Sequence, residues 1–223
     1  MSDLIACVLP ALDAACTLGE IARGVRAQVP GVLLIAVDDG STDGTSDVAR
    51  ASCDEVLSFD RNRGKGAALR AGIAHALDAG AARVLTIDAD GQHEPRFAPA
   101  LLAALDGADL AIGARARDAR MPARRRLTNG LSSRAVSAIT GLTVADAQSG
   151  FRAARRELLE RCGDAPGDRY EYETELLIRA ARAGFRITAV PVSTIYGAPS
   201  HFHGVRDTVR VIRTIWRNRA GAH

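Results

Sequence analysis

Short apolar runs alternate with helix-forming stretches through the first 115 residues, and no other feature constrains the fold as tightly. Leu4 to Leu9 is an apolar run stopped by Pro10; Val32 to Val37, Glu55 to Phe59, Val84 to Ile87 and Asp109 to Gly113 are further strand candidates. Between the first two, Thr17 opens a helix with Glu20 three residues on, the spacing of a capping box, and Leu18, Ile21, Val25 and Val29 give that helix one apolar face. A second helix runs through Ala49, capped by Ser41 or Thr42 with Asp43 in its first turn. A third runs from Lys65 to Ala79 and is stopped by Gly80. Strand alternating with helix in this way predicts an α/β fold, a mostly parallel twisted sheet with helices on both faces. Ligands of such sheets sit beyond the carboxyl ends of the strands.

The second half is less regular. Helices are expected over Leu127 to Ile139, Glu157 to Cys162, Glu171 to Ala183 and Val205 to Arg219, with a polar turn at Gln148 to Arg152. Arg186 to Thr194 alternates as a strand does, and Pro191 favours the edge of a sheet. No repeat or low-complexity linker divides the 223 residues, so a single domain is expected over 1–223, with 1–115 and 116–223 as its two halves. Aromatics make up only 4% and the net charge is +3, which argues against a single-stranded nucleic-acid platform or a general polyanion binder. Cys7, Cys16, Cys53 and Cys162 lack metal-ligand spacing and read as reduced thiols, which suits the cytosol. No leader and no run of about 18 apolar residues is evident, so no transmembrane helix is expected.

Two of the strand ends are acidic. Asp88 and Asp90 stand two apart, a spacing that in extended backbone sends both carboxylates to one side. Two carboxylates so placed repel unless a cation lies between them, and Mg²⁺ or Mn²⁺ suits oxygen ligands. The other reading is a polar turn whose aspartates cap backbone amides. At the second strand end Asp38 and Asp39 are able to accept hydrogen bonds from a base or ribose. Asn62 to Gly66 is a glycine-rich loop before a helix; it offers amides and Lys65 to a phosphate, or is simply a helix start.

Taken together, seven stretches resemble the family 2 glycosyltransferases of GT-A (Rossmann-like) fold, in the branch similar to dolichyl-phosphate mannosyltransferases. They are VDDGSTDGT (37–45), NRGKGAALRAGI (62–73), TIDADGQHEP (86–95), IGAR (112–115), QSGFRA (148–153), YETELLIRA (172–180) and VPVSTIYG (190–197), and they run in one order through nearly the whole chain. The resemblance implies a nucleotide-sugar donor and a polyprenyl phosphate acceptor. It implies that Asp88, Asp90 and Gln92 hold Mg²⁺ or Mn²⁺, and that Pro10, Leu12, Asp38, Asp39, Lys65 and Ala89 lie along the donor. One departure stands at the first strand end, where Leu12 and Ala14 replace the aromatic residue and glutamate common in the family.

The acceptor half is basic. Arg115, Arg117, Arg120 and Arg124 to Arg126 crowd twelve residues after a strand end, and arginine forks suit phosphate. The resemblance implies that Arg115 and one of Arg124, Arg125 and Arg126 bind the acceptor phosphate, with Ser149 and Glu173 lining the same cleft. A phosphate monoester has its second pKa near ~6 and arrives as an anion, so Asp90 and Arg115 would serve catalysis by position and charge; an alcohol acceptor would need a base, Asp90 or Glu173. In the last expected helix Arg206, Arg210, Arg213 and Arg217 form one stripe beside Val205, Val209, Ile212 and Trp216, a pattern fit for the cytoplasmic face of a membrane or for packing on the domain. Other readings remain open: transfer to a saccharide or small alcohol, a sugar nucleotidyltransferase, a catalytically inactive membrane-surface module, and a nucleic-acid binder.

Overall fold

The computed structural model describes residues 4–115, 133–134, 136–138, 146–147, 149–193 and 195. Seven strands make one sheet: β1 (Ile5–Ala11), β2 (Leu33–Asp38), β3 (Glu55–Ser58), β4 (Arg83–Thr86), β5 (Leu110–Arg115), β6 (Arg152–Arg155) and β7 (Ile187–Val192), in the order β3-β2-β1-β4-β6-β5-β7. All the neighbouring strands run parallel except at β6, which is antiparallel to both β4 and β5. The parallel part buries both faces, and successive residues of one strand serve opposite cores. Ala6 and Val8 of β1 and Ile35 and Val37 of β2 pack into one cluster; Cys7, Leu9, Leu34 and Ala36 pack into the other.

Helices α1 (Leu18–Gln28), α2 (Thr45–Ser52) and α4 (Ala98–Ala104) cover the second cluster through Leu18, Ile21, Val25, Ala49 and Leu101. Helices α3 (Lys65–Asp78), α5 (Arg156–Cys162) and α6 (Glu171–Arg182) cover the first through Leu69, Ile73, Leu158, Leu177 and Ile178. Burying each Val, Leu or Ile side chain stabilises the fold by about 1.5–3 kcal/mol. Gly80 and Gly184 end α3 and α6 with φ of 87° and 83°, the left-handed backbone expected of helix stops.

Several sequence expectations need correction. Thr17 does precede α1, but its side chain makes no cap; its hydroxyl donates instead to the carbonyl of Ala89. Ser41 and Thr42 do not cap α2, which begins at Thr45 after Gly44 with no side-chain cap; Asp43 accepts from the Thr45 amide from one residue before the cap, while Ser41 and Thr42 bond to Asp13. Of the polar turn expected at Gln148 to Arg152, Ser149 to Phe151 lead into β6 and Arg152 begins it, and α4 was not expected at all. Asp88 and Asp90 lie past the end of β4, with Asp90 in a turn and Gly91 at φ 75°, so they do not share an extended segment. Pro191 sits in β7, which pairs only with β5 and forms the sheet edge, as its missing N–H requires.

The four cysteines are free thiols, with Cys7 and Cys162 buried and Cys16 exposed. Among the described residues no helix is long and apolar enough to cross a membrane. The helix expected over Leu127 to Ile139 is described only at Ser133, Arg134 and Val136 to Ala138, all helical. Gln148, the arginines from Arg117 to Arg126, and the basic stripe from Arg206 to Arg217 lie outside the described residues.

Candidate active site

The parallel strands deliver their acidic ends to one edge of the sheet. Pro10 and Ala11 of β1 pair in register with Val37 and Asp38 of β2, and the Asp39 amide donates to the Ala11 carbonyl. Pro10 is tolerated in a central strand because the β1–β4 register stops at Val8, two residues before it. Asp38 Oδ1 accepts from the Ser41 amide at 2.9 Å. The Asp39 carboxylate accepts from the amides of Arg63 (2.7 Å) and Gly64 (2.9 Å). Burial pushes the Asp39 carboxyl up, against the pull of those two amides. Leu12 is half-buried and Ala14 buried beside these acids, and the Thr17 hydroxyl ties Ala89 to the same edge. Pro10, Leu12, Asp38, Asp39 and Ala89 are therefore brought together.

The glycine-rich loop is not a bare phosphate cradle. The Gly64 amide is given to Asp39, and its φ of 106° puts a Cβ there within 2.2 Å of the Asp168 carbonyl. A Cβ on Gly66 would stand 2.6 Å from the Gly167 carbonyl oxygen. These glycines let the start of α3 lie against the loop before α6, and that contact aims Lys65.

Lys65 is the hub. Its Nζ lies 2.7 Å from Asp88 Oδ1, 3.0 Å from Oδ2, and 3.1 and 3.2 Å from the two carboxylate oxygens of Glu173, with the Tyr170 ring 5.5 Å away. The side chains of Lys65, Asp88 and Glu173 are 14%, 22% and 4% exposed. Burial disfavours the ammonium, but the two carboxylates outweigh it and hold Lys65 protonated. Burial likewise pushes Asp88 up, and the Lys65 charge overrides it, so that carboxyl lies below its ordinary range. Glu173, more deeply enclosed, is pushed up by burial against the pull of Lys65 and Arg152. Asp90 Oδ1 accepts from the Gln92 amide at 3.0 Å. Asp88, Asp90 and buried Gln92 thus share one turn, and their oxygen donors are those a hard cation takes. Among the described residues no three His, Cys, Asp or Glu side chains converge as a metal-ligand group.

The antiparallel β6 brings the third wall. Its register sets Arg152 opposite Thr86, so the residues before it lie beside the end of β4, where the Thr86 hydroxyl donates to the Gly150 carbonyl at 2.9 Å. Gly150 lies so near Asp88 that a Cβ would meet Oδ2 at 2.4 Å. Arg152, buried, donates to the carbonyls of Ser149, Ala147 and Glu173 at 2.8, 2.9 and 2.7 Å, stitching the loop before β6 to the first turn of α6. Ser149, expected to line an acceptor cleft, is fully buried with its hydroxyl accepting from the Phe151 amide. Arg115, at the end of β5, holds buried Asp146 by a fork, Nε to Oδ2 at 2.6 Å and Nη2 to Oδ1 at 3.1 Å.

Sequence reasoning missed three members of this site. His93 is 3% exposed, 5.5 Å from the Phe151 ring, and within the fields of Asp88, Arg115, Lys65 and Asp146. Burial lowers its pKa to about 4, so it is neutral at pH 7. Arg152 and Asp146 are the others. His93 and Arg152 both lie inside the stretches TIDADGQHEP and QSGFRA, so the signal was present; Asp146 carried none.

A mostly parallel sheet whose acidic strand ends face a lysine and an arginine at one edge is the layout of a glycosyltransferase of GT-A fold. Within that class the chain belongs to glycosyl transferase family 2, which matches residues 6–163. It is 34% identical over 190 residues to undecaprenyl-phosphate mannosyltransferase of Micrococcus luteus, covering 80% of this chain and 76% of that one. It is also 34% identical over 201 residues to polyprenol monophosphomannose synthase of Mycolicibacterium smegmatis, covering 83% and 75%. Among solved structures it is similar to glucosyl-3-phosphoglycerate synthase of Mycobacterium tuberculosis in complex with Mn²⁺, uridine diphosphate and phosphoglyceric acid. The TM-score is 0.79 at 26% identity, covering 97% of this chain and 78% of that one. The same enzyme is also known with Mg²⁺ and uridine diphosphate.

Proposed function

We propose that this glycosyltransferase moves a hexose from a nucleotide diphosphate sugar, of the GDP-mannose or UDP-glucose type, to the phosphate of a polyprenyl phosphate, with inversion. One observation carries the choice of acceptor. Carboxylates around the site are already engaged: Asp88 and Glu173 by Lys65, Asp146 by Arg115, Asp39 by two amides, and Asp90 Oδ1 by the Gln92 amide. A nucleophile that needs a base finds these carboxylates committed, whereas a phosphate brings its own negative charge. The names of the two relatives favour the same acceptor.

In this reading Pro10, Leu12, Asp38, Asp39 and Ala89 receive the nucleoside, and Lys65 faces the donor phosphates. Asp88, Asp90 and Gln92 fit Mg²⁺ or Mn²⁺: their donors are hard oxygens, and the missing Cβ of Gly150 leaves the Asp88 carboxylate uncrowded. Bound there, the metal would supply positive charge to the departing diphosphate. Arg115, oriented by Asp146, would hold the acceptor phosphate with Arg124 and Arg125, beside Ser149 and Glu173. Position and charge then do the catalysis, and a single in-line displacement inverts the anomeric carbon. The arginine stripe from Arg206 to Arg217 would bring the chain to the cytoplasmic face of a membrane, and salt-sensitive binding to anionic vesicles checks it.

A second reading has one observation in its favour, the likeness to an enzyme solved with phosphoglyceric acid. The test is transfer from GDP-mannose, UDP-glucose and UDP-N-acetylglucosamine to undecaprenyl phosphate and to phosphoglyceric acid, followed by mass spectrometry. Product on the lipid supports the proposal; product on phosphoglyceric acid alone refutes it. Asp90→Ala is expected to abolish turnover while the melting temperature holds, and full activity in excess chelator would remove the metal from the scheme.

A further inference from the structure

Glu173 is one of the two residues the sequence offers as a base for an alcohol acceptor, yet its geometry suits another task. Both of its carboxylate oxygens accept from the Lys65 ammonium, its side chain is 4% exposed, and its own carbonyl is fixed by Arg152 at 2.7 Å. The same ammonium spans Asp88 at 2.7 and 3.0 Å. Three N–H bonds are thereby divided among four oxygens of two carboxylates. What one carboxylate gains from Lys65, the other loses.

We propose that Glu173 is a positioning residue that acts through Lys65 on Asp88: by sharing the ammonium that also spans Asp88 it leaves Asp88 more of its charge for a divalent cation, and it takes no proton from the acceptor. The inference rests on the reading of Asp88 as a metal ligand. With the Glu173 charge removed, Lys65 turns wholly to Asp88 and competes with the cation there. A negative charge is also lost from the neighbourhood of the metal. Both effects weaken metal binding, and neither touches the nucleophile.

The experiment compares wild type, Glu173→Gln and Glu173→Asp by the electron paramagnetic resonance signal of free Mn²⁺, titrated with UDP present and separately with GDP. Turnover is followed against Mn²⁺ concentration in parallel. For Glu173→Gln the expected result is a loss of Mn²⁺ affinity of at least about tenfold, since a negative charge near the divalent cation is removed. Its turnover should fall further at limiting than at saturating Mn²⁺, as weakened metal binding requires. Glu173→Asp keeps the charge and should recover most of the affinity, which separates the role of the charge from a simple loss of packing. Unchanged Mn²⁺ affinity in Glu173→Gln, or a kcat collapse of about a hundredfold or more that saturating Mn²⁺ does not restore, overturns the inference and leaves the metal reading standing. A wild type that takes up no Mn²⁺ with either nucleotide overturns both.

Discussion

His93 shows what burial does to a single residue. Its imidazole is neutral in the fold, with a pKa of about 4 against 6.5 when free, because charging it would place a cation out of water beside Arg115 and Lys65, against the attraction of Asp88 and Asp146. The unfolded chain therefore binds a proton that the native state refuses between those two values. Stability contributed by the neutral ring is complete above about pH 6.5 and is lost as pH falls toward 4, up to about 3 kcal/mol. Urea unfolding from pH 7 to pH 4.5 should show that slope, and His93→Gln should flatten it. Gly150 is the complementary case, a residue whose value lies in lacking a side chain. Gly150→Ala would put a Cβ 2.4 Å from Asp88 Oδ2, and the short aspartate has nowhere easy to go, since Lys65 already fixes it. Mn²⁺ affinity with UDP should fall at least about tenfold while Tm moves by only a few degrees; unaltered affinity in a calorimetric titration would show that the carboxylate position is immaterial.

At the scale of the element, α3 does the aiming. Its first residue is Lys65, and Gly72 lies against the sheet so closely that a Cβ would meet Val8 Cγ1 at 2.4 Å and Val37 Cγ2 at 2.9 Å. Alanine is the better helix former by about 1 kcal/mol, yet overpacking a sheet–helix contact costs about 1–3 kcal/mol. Gly72→Ala should therefore lower the urea midpoint despite its propensity, and lifting α3 should cost activity as well; a more stable, fully active variant would mean the helix can rise freely. The elements themselves were largely legible. Largely apolar runs of four to six residues announce buried parallel strands, and β1 to β4 came out within a few residues of expectation. β6 was not legible because Arg152-Ala153-Ala154-Arg155 has no branched or aromatic residue; it is a strand because the slot between β4 and β5 admits small side chains, a tertiary reason invisible to local propensity. The short α4 carries Pro99 at its second position, follows Pro95, and has little periodicity to read.

For the molecule as a whole, the strand-end rule located Asp38, Asp39, Asp88 and Arg115, because a parallel sheet must send its carboxyl ends to one side. Who pairs with whom was out of reach. Lys65 meets a partner 23 residues away and another 108 residues away on one nitrogen, and only the packing of α3 on α6 decides that. Arg115→Ala tests the division between donor and acceptor sides. Turnover with a lipid phosphate should fall steeply while UDP or GDP affinity stays within about threefold, although Asp146, left buried without its fork, will cost stability too. The reversed strand carries one more implication, and it concerns time. β4 ends at Thr86 and pairs with β1 on one side, but its neighbour on the other side is not made until Arg152 has been synthesised, and β5 has no place beside β6 before then. Through that interval a growing chain holds a bare strand edge, the kind of surface that joins other chains. The strand that closes this edge also seats β5 and sets Gly150 beside Asp88, so one element both shelters β4 and builds a wall of the site, to which α6 adds Glu173 later in the chain.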